Sequence, residues 1–412
     1  MRALTVTRAA RMGLGLAALL CLTLAAPSAR ANSVFSSAGL GEPTLEESAR
    51  LRALGGAGAA EHGPSNFSLV NPASIAEAEH LILEATLLQT RRQVTTLHYG
   101  DETGNESSFP SVRLVLRLPN GLVLGGSYLI GTNGEFQVTR PESTGAASVL
   151  RIDGRGGINF LRVTAAAKVG RSLRAGVDYE VAGGSFHEEW QRQFVDPNLA
   201  ANRDTLDVSW DRLGRWRFGA QWVKSWISLG AAYETGRRLP LTERQKAAGS
   251  LTETANSLGL PEGIVLGFEL KPRERTRFVG QYRRQNYGES TIQSDLVTFR
   301  PLERYSIGWE RMPVNGGRAG LGLQRIPLRL GFMVLRWPDL LPVAGATDIG
   351  GGAAAVEEWA ASIGTGLRTK DGGGAIDLSL EGGQRGDKDK LGAMETFFRL
   401  GLSLRVSDET WR

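Results

Sequence analysis

Ser111-Val112-Arg113-Leu114-Val115-Leu116-Arg117-Leu118 sets Val112, Leu114, Leu116 and Leu118 on one face and Arg113, Val115 and Arg117 on the other. Period two means a strand. Arginine recurring on the second face means that face is wet or internally paired, not a dry core. The pattern returns near the C-terminus. There Phe398, Leu400, Leu402, Leu404 and Val406 alternate with Arg399, Gly401, Ser403 and Arg405. In 263–270, Ile264, Leu266, Phe268 and Leu270 alternate with Val265, Gly267 and Glu269. A barrel in lipid needs this arrangement, apolar outside and polar inside.

Working outward, fourteen such segments follow His80, near 80–95, 109–119, 121–138, 156–170, 172–190, 204–223, 225–241, 263–272, 274–289, 301–312, 326–337, 355–369, 373–385 and 394–407. An even count suits a single-chain bacterial barrel. Pro119-Asn120-Gly121, Gly170-Arg171-Ser172, Lys224-Ser225, 271–275 and 369–374 are short connections. Between them stand longer polar ones at 96–108, 139–155, 191–203, 242–262, 290–300, 338–354 and 386–393, with 313–325 an exception on the short side. Short turns at one rim and long loops at the other mark an outer-membrane barrel, the short rim being periplasmic. The expected fold is therefore all-β: a transmembrane antiparallel barrel of about 14 strands.

The faces agree. Trp216, Phe218, Ala220 and Trp222 point outward, as do Ile227, Leu229, Ala231 and Tyr233; Tyr305, Ile307, Trp309, Leu328, Leu330, Phe332 and Val334 join them. Glu84, Arg113, Arg117, Arg174, Asp178, Glu180, Asp211, Arg215, Arg217, Glu269, Arg277, Arg283, Arg329, Asp377, Glu381, Arg399 and Arg405 fall inward. Arg212 lands outward and marks a bulge or a position above the hydrocarbon.

The first 31 residues give the compartment. Arg2, Arg8 and Arg11 precede an apolar run from Met12 to Ala26, and Ala29-Arg30-Ala31 supplies a small-x-small site. This reads as a signal peptide, 1–31, cleaved after Ala31; the run is too short for a membrane anchor. Cys21 lies within it after Leu20, where a lipoprotein site needs a small residue. The chain holds 48 basic and 43 acidic residues; the leader's four arginines account for most of the excess. A nearly neutral mature chain gives no argument for nucleic acid. Without cysteine it forms no disulfide or thiolate metal site.

Residues 32–79 do not alternate for long. They contain Leu51-Arg52-Ala53-Leu54-Gly55-Gly56-Ala57-Gly58-Ala59-Ala60, then Asn71-Pro72-Ala73 just before the first strand. This order resembles the start of the FadL/TodX family of outer-membrane transporters for long-chain fatty acids and other hydrophobic compounds. Pro327-Leu328-Arg329-Leu330-Gly331 and Glu395-Thr396-Phe397-Phe398-Arg399-Leu400-Gly401-Leu402 are similar to that family too. The resemblance implies a hatch, 32–79, plugging the periplasmic half of a barrel, 80–407, followed by a tail, 408–412. It assigns gating to Gly55, Gly56, Gly58, Asn71, Pro72 and Ala73. It also implies a kink in strand three, for which Gly131 and Gly134 are the candidates, opening the wall sideways into the bilayer. Where the family often has an acidic run, this chain has Glu61-His62-Gly63-Pro64-Ser65, and Trp411 is next to last. No motif carries the family's ligand-binding basic residues onto this chain.

From the residues themselves, Pro72 fixes φ and biases Asn71 toward extended backbone, and Asn71 can bond neighbouring backbone. The glycines before it lack the Lys-Ser/Thr of a phosphate loop and suit close packing of backbone. Arg113, Arg117, Arg215 and Arg217 are the candidates to bind a ligand carboxylate bidentately. His62, His80, His98 and His187 lack metal spacing. No cofactor, metal or catalytic set is expected. The implied function is plug-gated uptake of hydrophobic small molecules. The expected partners are that ligand, the bilayer with its lipopolysaccharide, and the barrel assembly machinery. The alternatives are a structural barrel, a surface-interaction protein acting through 191–203 and 242–262, and a barrel enzyme.

Overall fold

The computed structural model describes residues 33–37, 41–79, 81–96, 100–142, 147–247, 249–287, 289–292, 295–298, 300–313, 326–342, 353–369 and 373–408. The expected leader and cleavage site, His80, His98, the 314–325 stretch and Trp411 lie outside them. Fourteen antiparallel strands are present among the described residues. They are β1 Leu81–Thr96, β2 Gly100–Arg117, β3 Val123–Ile130 resuming at Phe136–Glu142, β4 Ser148–Val169 and β5 Leu173–Phe194. Then come β6 Asn202–Trp210 with Leu213–Val223, β7 Ile227–Glu234 with Arg237–Ala247, and β8 Ser250–Leu260 with Glu262–Arg273. β9 is Thr276–Asn286 with Glu289–Ile292, β10 Asp295–Thr298 with Leu302–Arg311, β11 Leu328–Pro342, β12 Ala353–Arg368, β13 Gly374–Asp387 and β14 Ala393–Asp408. Each pairs with the next. β14 closes on β1 through a ladder running from Leu81↔Asp408 to Thr96↔Ala393. The last strand thus takes in Asp408, one residue of the expected tail.

The alternation sorts as the sequence requires. Leu161, Val163, Trp216, Phe218, Ile307, Phe398 and Leu400 are exposed on the outer face. Arg113, Arg162, Arg217, Arg277, Arg329, Arg399 and Arg405 are buried on the inner one. A basic residue at the lipid midplane costs about 2–4 kcal/mol, so this one-sided sorting fixes the register of every strand. Asp211 departs from the expected inward set. It is exposed with Arg212 at the interruption between Trp210 and Leu213, where the chain leaves the ladder.

Most of the long polar connections are strand, not loop. β4 and β5 pair as far as Ser148↔Phe194, and β7 and β8 continue as a hairpin from Arg237↔Leu260 to Ala247↔Ser250. The stretch 242–262, read as a loop, is largely wall, whereas 191–203 keeps a loop at 195–201 between the ends of β5 and β6. Above the bilayer both faces of a strand meet water, so apolar alternation is not required and the period-two signal fades.

The N-terminal segment occupies the bore. It has a short 3-10 turn at Val34–Ser37, one helical turn at Ala49–Arg52 and a 3-10 helix at Pro72–Glu77. Residues 49–60 are all buried. The segment is not confined to the periplasmic half. The Ser33 hydroxyl donates to Glu395 at 2.6 Å, and Phe35 packs on Trp337 near the far ends of β11 and β14.

Candidate functional site: the plug and the break in the third strand

The plug's backbone lies directly against the wall because the wall gives way to it. Gly176, Gly219, Gly230, Gly267, Gly308, Gly331 and Gly364 face inward on β5 to β8 and β10 to β12. A Cβ built on any of them would stand 2.0–2.8 Å from a plug atom. At Gly230 that atom is the Ala59 carbonyl oxygen, and at Gly331 it is the Gly55 amide nitrogen, both 2.0 Å away. Neither can yield as a flexible side chain would. Gly331→Leu is therefore expected to dislodge the 53–56 stretch while leaving the strand ladder intact. Limited proteolysis from the periplasmic side should then cut the plug, whereas an unchanged digestion pattern would show that the contact is dispensable.

Within the plug, Gly55 and Gly56 adopt left-handed backbone, φ +67° and +77°, and end the helical turn with the Gly56 amide donating to the Leu51 carbonyl at 2.7 Å. Gly58 packs on Ser68. Asn71 caps the 3-10 helix by accepting from the Ala73 amide at 3.0 Å, with Pro72 at the first helical position. Its Nδ2 donates to Ala59 (2.7 Å) and to Ala220 of β6 (3.2 Å). Asn71-Pro72-Ala73 is thus the joint at which plug loop, plug helix and wall meet, seated on Gly176 and Gly219.

Ion pairs tie the plug to strands around the bore. Glu42 meets Arg385 at 2.7 Å and Arg399 at 3.1 Å, and also Arg92. Glu46 meets Arg283 at 3.0 Å and Arg162 at 3.3 Å. Arg50 meets Glu310, Arg52 meets Glu381, and Glu77 meets Arg174. Burial works against the Glu46 carboxylate, but Arg283 and Arg162 outweigh it and hold its pKa below the usual range. Glu47 is the reverse. Burial pushes its carboxyl up, with the more distant Arg113 and the Ser68 hydroxyl only partly opposing.

The wall breaks at β3. After Ile130 the strand leaves the ladder until Phe136. Thr132 and Asn133 pair instead with plug residues Pro43 and Glu42, and the Thr44 amide donates to the Gly131 carbonyl at 3.0 Å. On the other side the Gly131 and Gly134 amides still donate to Ile158 and Gly156 of β4, both at 2.8 Å. The β2–β3 ladder spans only Ser111↔Leu129 to Arg117↔Val123. Beyond it the far part of β2 pairs only with β1, and Phe136–Glu142 only with β4, among the described residues. The seam between β2 and β3 is therefore split in the half away from the periplasm, and the plug's Glu42–Pro43 sits in the split. Gly131 and Gly134 allow two rings to lie over the break: their Cβ atoms would fall 2.3 Å from Phe160 and 2.4 Å from Phe186.

Inside the break two apolar clusters face the lumen beside its charged residues. Ile158, Leu239, Leu241, Leu258 and Leu260 form one buried cluster with Phe160, Phe186 and Tyr287 against it. Leu302, Leu335, Trp337 and Val356 form a second, sharing Tyr287. Between them and the plug is a cavity of about 60 Å³ lined by Pro43, Leu45, Gly131, Phe160, Leu335 and Arg304, among others. Sites for drug-sized ligands start near 300 Å³, so this cavity is far too small for one as it stands. Filling it with anything larger requires the plug or the break to move.

Of the four arginines singled out from the sequence, Arg215 pairs with Glu180 at 2.6 Å and donates to the Pro261 carbonyl. Arg217 donates to the Leu69 and Val70 carbonyls and lies 3.4 Å from Glu234. Arg113 meets Glu84 at 3.3 Å and stacks over Phe67, and Arg117 donates to the Ala78 carbonyl. Arg215 lines the cavity; the other three pack around the plug's descent. Sequence reasoning missed two arginines of this cavity, Arg162, which pairs with Glu46 and Glu180, and Arg304. Arg304 is 2% exposed, lines the cavity, and donates to Ser306 at 3.0 Å and to the Gly56 carbonyl. Among the described residues it is the one buried arginine with no carboxylate within 4.0 Å. Its place in the inward register was readable; its lack of a partner depends on plug contacts that no local pattern encodes.

A family model named BamG matches residues 11–213. No curated protein matches the sequence. Among solved structures the chain is similar to a Pseudomonas aeruginosa FadL homologue, with 13% identity, a TM-score of 0.60, and 87% of this chain and 98% of that one covered. It is similar also to the monoaromatic hydrocarbon channel CymD (14%, TM-score 0.54, 89% and 98% covered). The Pseudomonas putida toluene transporter TodX gives 12%, TM-score 0.53, with 89% and 98% covered. At these identities the likeness establishes the fold: an outer-membrane-type barrel built like the FadL/TodX channels.

Proposed function

We propose that this chain is a non-enzymatic outer-membrane channel for hydrophobic small molecules, held here in its closed state. The observation that carries the reading is the break in β3. A seam with no β2–β3 strand ladder among the described residues, bridged by the Asn133 side-chain amide donating to Glu106 at 2.8 Å, stoppered by Glu42–Pro43 and opening onto two apolar clusters, is a route through the wall. Cargo taken up among Leu239, Leu258, Leu260 and Tyr287 would leave sideways into lipid rather than through the plug. Arg304 is the group in that lumen able to meet an anionic head. The charge-assisted contact is worth about 1.5–3 kcal/mol, and each buried methylene about 0.8 kcal/mol, so chain length dominates affinity. Binding of fatty acids of eight to eighteen carbons to the purified barrel should tighten with length. Arg304→Met should weaken acids roughly 10- to 150-fold and leave methyl esters nearly unchanged. Affinity independent of length, or a sugar bound as well as oleate, removes the channel reading.

A second reading is favoured by the BamG match and by the tightness of the seal. On it the barrel carries nothing and serves as a partner in the assembly of other outer-membrane proteins. Co-purification with assembly components from mild detergent, together with no retained hydrophobic compound, would select it.

A further inference from the structure

The rim bearing the short turns is not evenly charged. Three successive turns along β4 to β9 carry Lys168 and Arg171, then Lys224, then Lys271, Arg273 and Arg275, against a single acid, Glu274. Lys271 is paired with Glu269 at 2.7 Å. The other five have no carboxylate within 4.0 Å among the described residues. The next turn round the rim, Leu118 to Gly121 between β2 and β3, carries no charge.

At the opposite rim, several exposed charges pair with one another. Arg336 joins Glu303 (3.5 Å) and Glu357 (3.0 Å), Arg244 joins Glu253 (2.9 Å), and Arg151 joins Asp153 (2.7 Å). Others there, among them Arg238, Lys246, Glu135 and Asp196, have no ion pair either among the described residues, but they carry both signs, whereas the arc is basic against the one acid Glu274.

The arc also abuts the outer apolar band. Val169, Leu173, Trp222 and Trp226 are exposed there, Trp226 at 61%, and the Lys224 ammonium lies 5.7 Å from the Trp222 ring. Aromatic rings at this level mark the headgroup zone of a bilayer. Basic side chains rooted beside apolar wall reach up to the phosphates while their stems stay in contact with lipid. A soluble acidic protein would not account for the apolar residues interleaved with the charges.

We propose that the β4–β9 arc is a binding surface for anionic phospholipid headgroups of the periplasmic leaflet. The proposal does not depend on what the barrel transports. Attraction between such a segment and an anionic leaflet falls off within a Debye length, so it should weaken with salt.

The test uses the full mature protein in nanodiscs of phosphatidylcholine mixed with phosphatidylglycerol. Lipids retained on release are counted by native mass spectrometry. Phosphatidylglycerol should be enriched several-fold over its share, and less so at high salt. The combined variant Lys168→Gln, Arg171→Gln, Lys224→Gln, Arg273→Gln and Arg275→Gln should abolish the enrichment. Arg284→Gln with Arg336→Gln, on the other rim, should leave it intact. These turn residues lie at or beyond the strand ends, and a heat-dependent gel shift verifies that each variant is folded. Equal retention of the two lipids by the native protein overturns the proposal, as does enrichment that survives the combined variant. A native protein that ignores the lipid but binds polyglutamate overturns it in favour of an acidic protein partner.

Discussion

Deleting residues 33–79 behind an intact leader should give a barrel that still folds and that passes small polar solutes at a porin-like rate. The strand ladder closes on itself from β1 through β14 without using any plug residue. The inner face is also nearly self-sufficient in charge. Arg162 keeps Glu180, Arg217 keeps Asp178 and Glu234, and Arg277 keeps Glu269 and Glu310. Arg329 keeps Glu310 and Asp377, Arg385 keeps Glu358, and Arg399 keeps Glu358. Arg174 loses its Glu77 partner and Arg304 its Gly56 carbonyl, but both then meet water in an open bore. Removing one member of a dry buried ion pair is costly because the other charge is stranded; rehydration of the bore relieves that cost. Between eight strands, which side chains fill, and sixteen, which leave an aqueous channel, fourteen strands with their plug gone should leave a wet pore. Liposome swelling with small sugars measures it. Permeability equal to that of the intact protein would mean that the N-terminal segment does not seal the bore.

The alternation of Val112, Leu114 and Leu116 with Arg113 and Arg117 was legible because the bilayer imposes it: one face must be apolar and the other cannot be. The same physics explains where reading failed. Asp153 and Arg244 lie on strands that rise into water, where nothing distinguishes the two faces, and the pattern dissolves into what reads as loop. The glycines divide likewise. Gly131 and Gly134, four positions within one segment, stand out as a break. Gly230, Gly308 and Gly331 are legible only as inward residues of regular strands. What they accommodate is backbone that arrives from residues 54–59, far away in sequence. Arg304 is the sharpest instance. By pattern it equals Arg283 or Arg329, and only the assembled bore shows that no carboxylate comes within reach of it.

Joining Pro43 to Thr132 by a disulfide should stop the passage of hydrophobic cargo, and reduction should restore it. The two residues are direct partners in the short antiparallel pair that stoppers the split. Opposed residues in such a pair have Cα atoms about 4.5–5.5 Å apart, inside the range a disulfide spans without backbone movement. Cys21, within the segment expected to be a cleaved leader, is the chain's one cysteine, so Pro43→Cys with Thr132→Cys adds the only thiols beyond that segment. The bond would leave fold, plug and lumen as they are and fix only the contact that must separate if cargo crosses the wall. Entry from outside would be unaffected, so equilibrium binding of a long-chain acid should persist while its transfer into lipid falls to background. A fluorescent fatty acid followed from the outer solution into proteoliposome membrane reports both quantities. If transfer in the oxidised protein matches the reduced one, cargo does not leave through the break in β3. If binding is lost together with transfer, the pocket that loads the channel includes the Glu42–Pro43 segment itself, and the capture site must be placed at the split rather than above it.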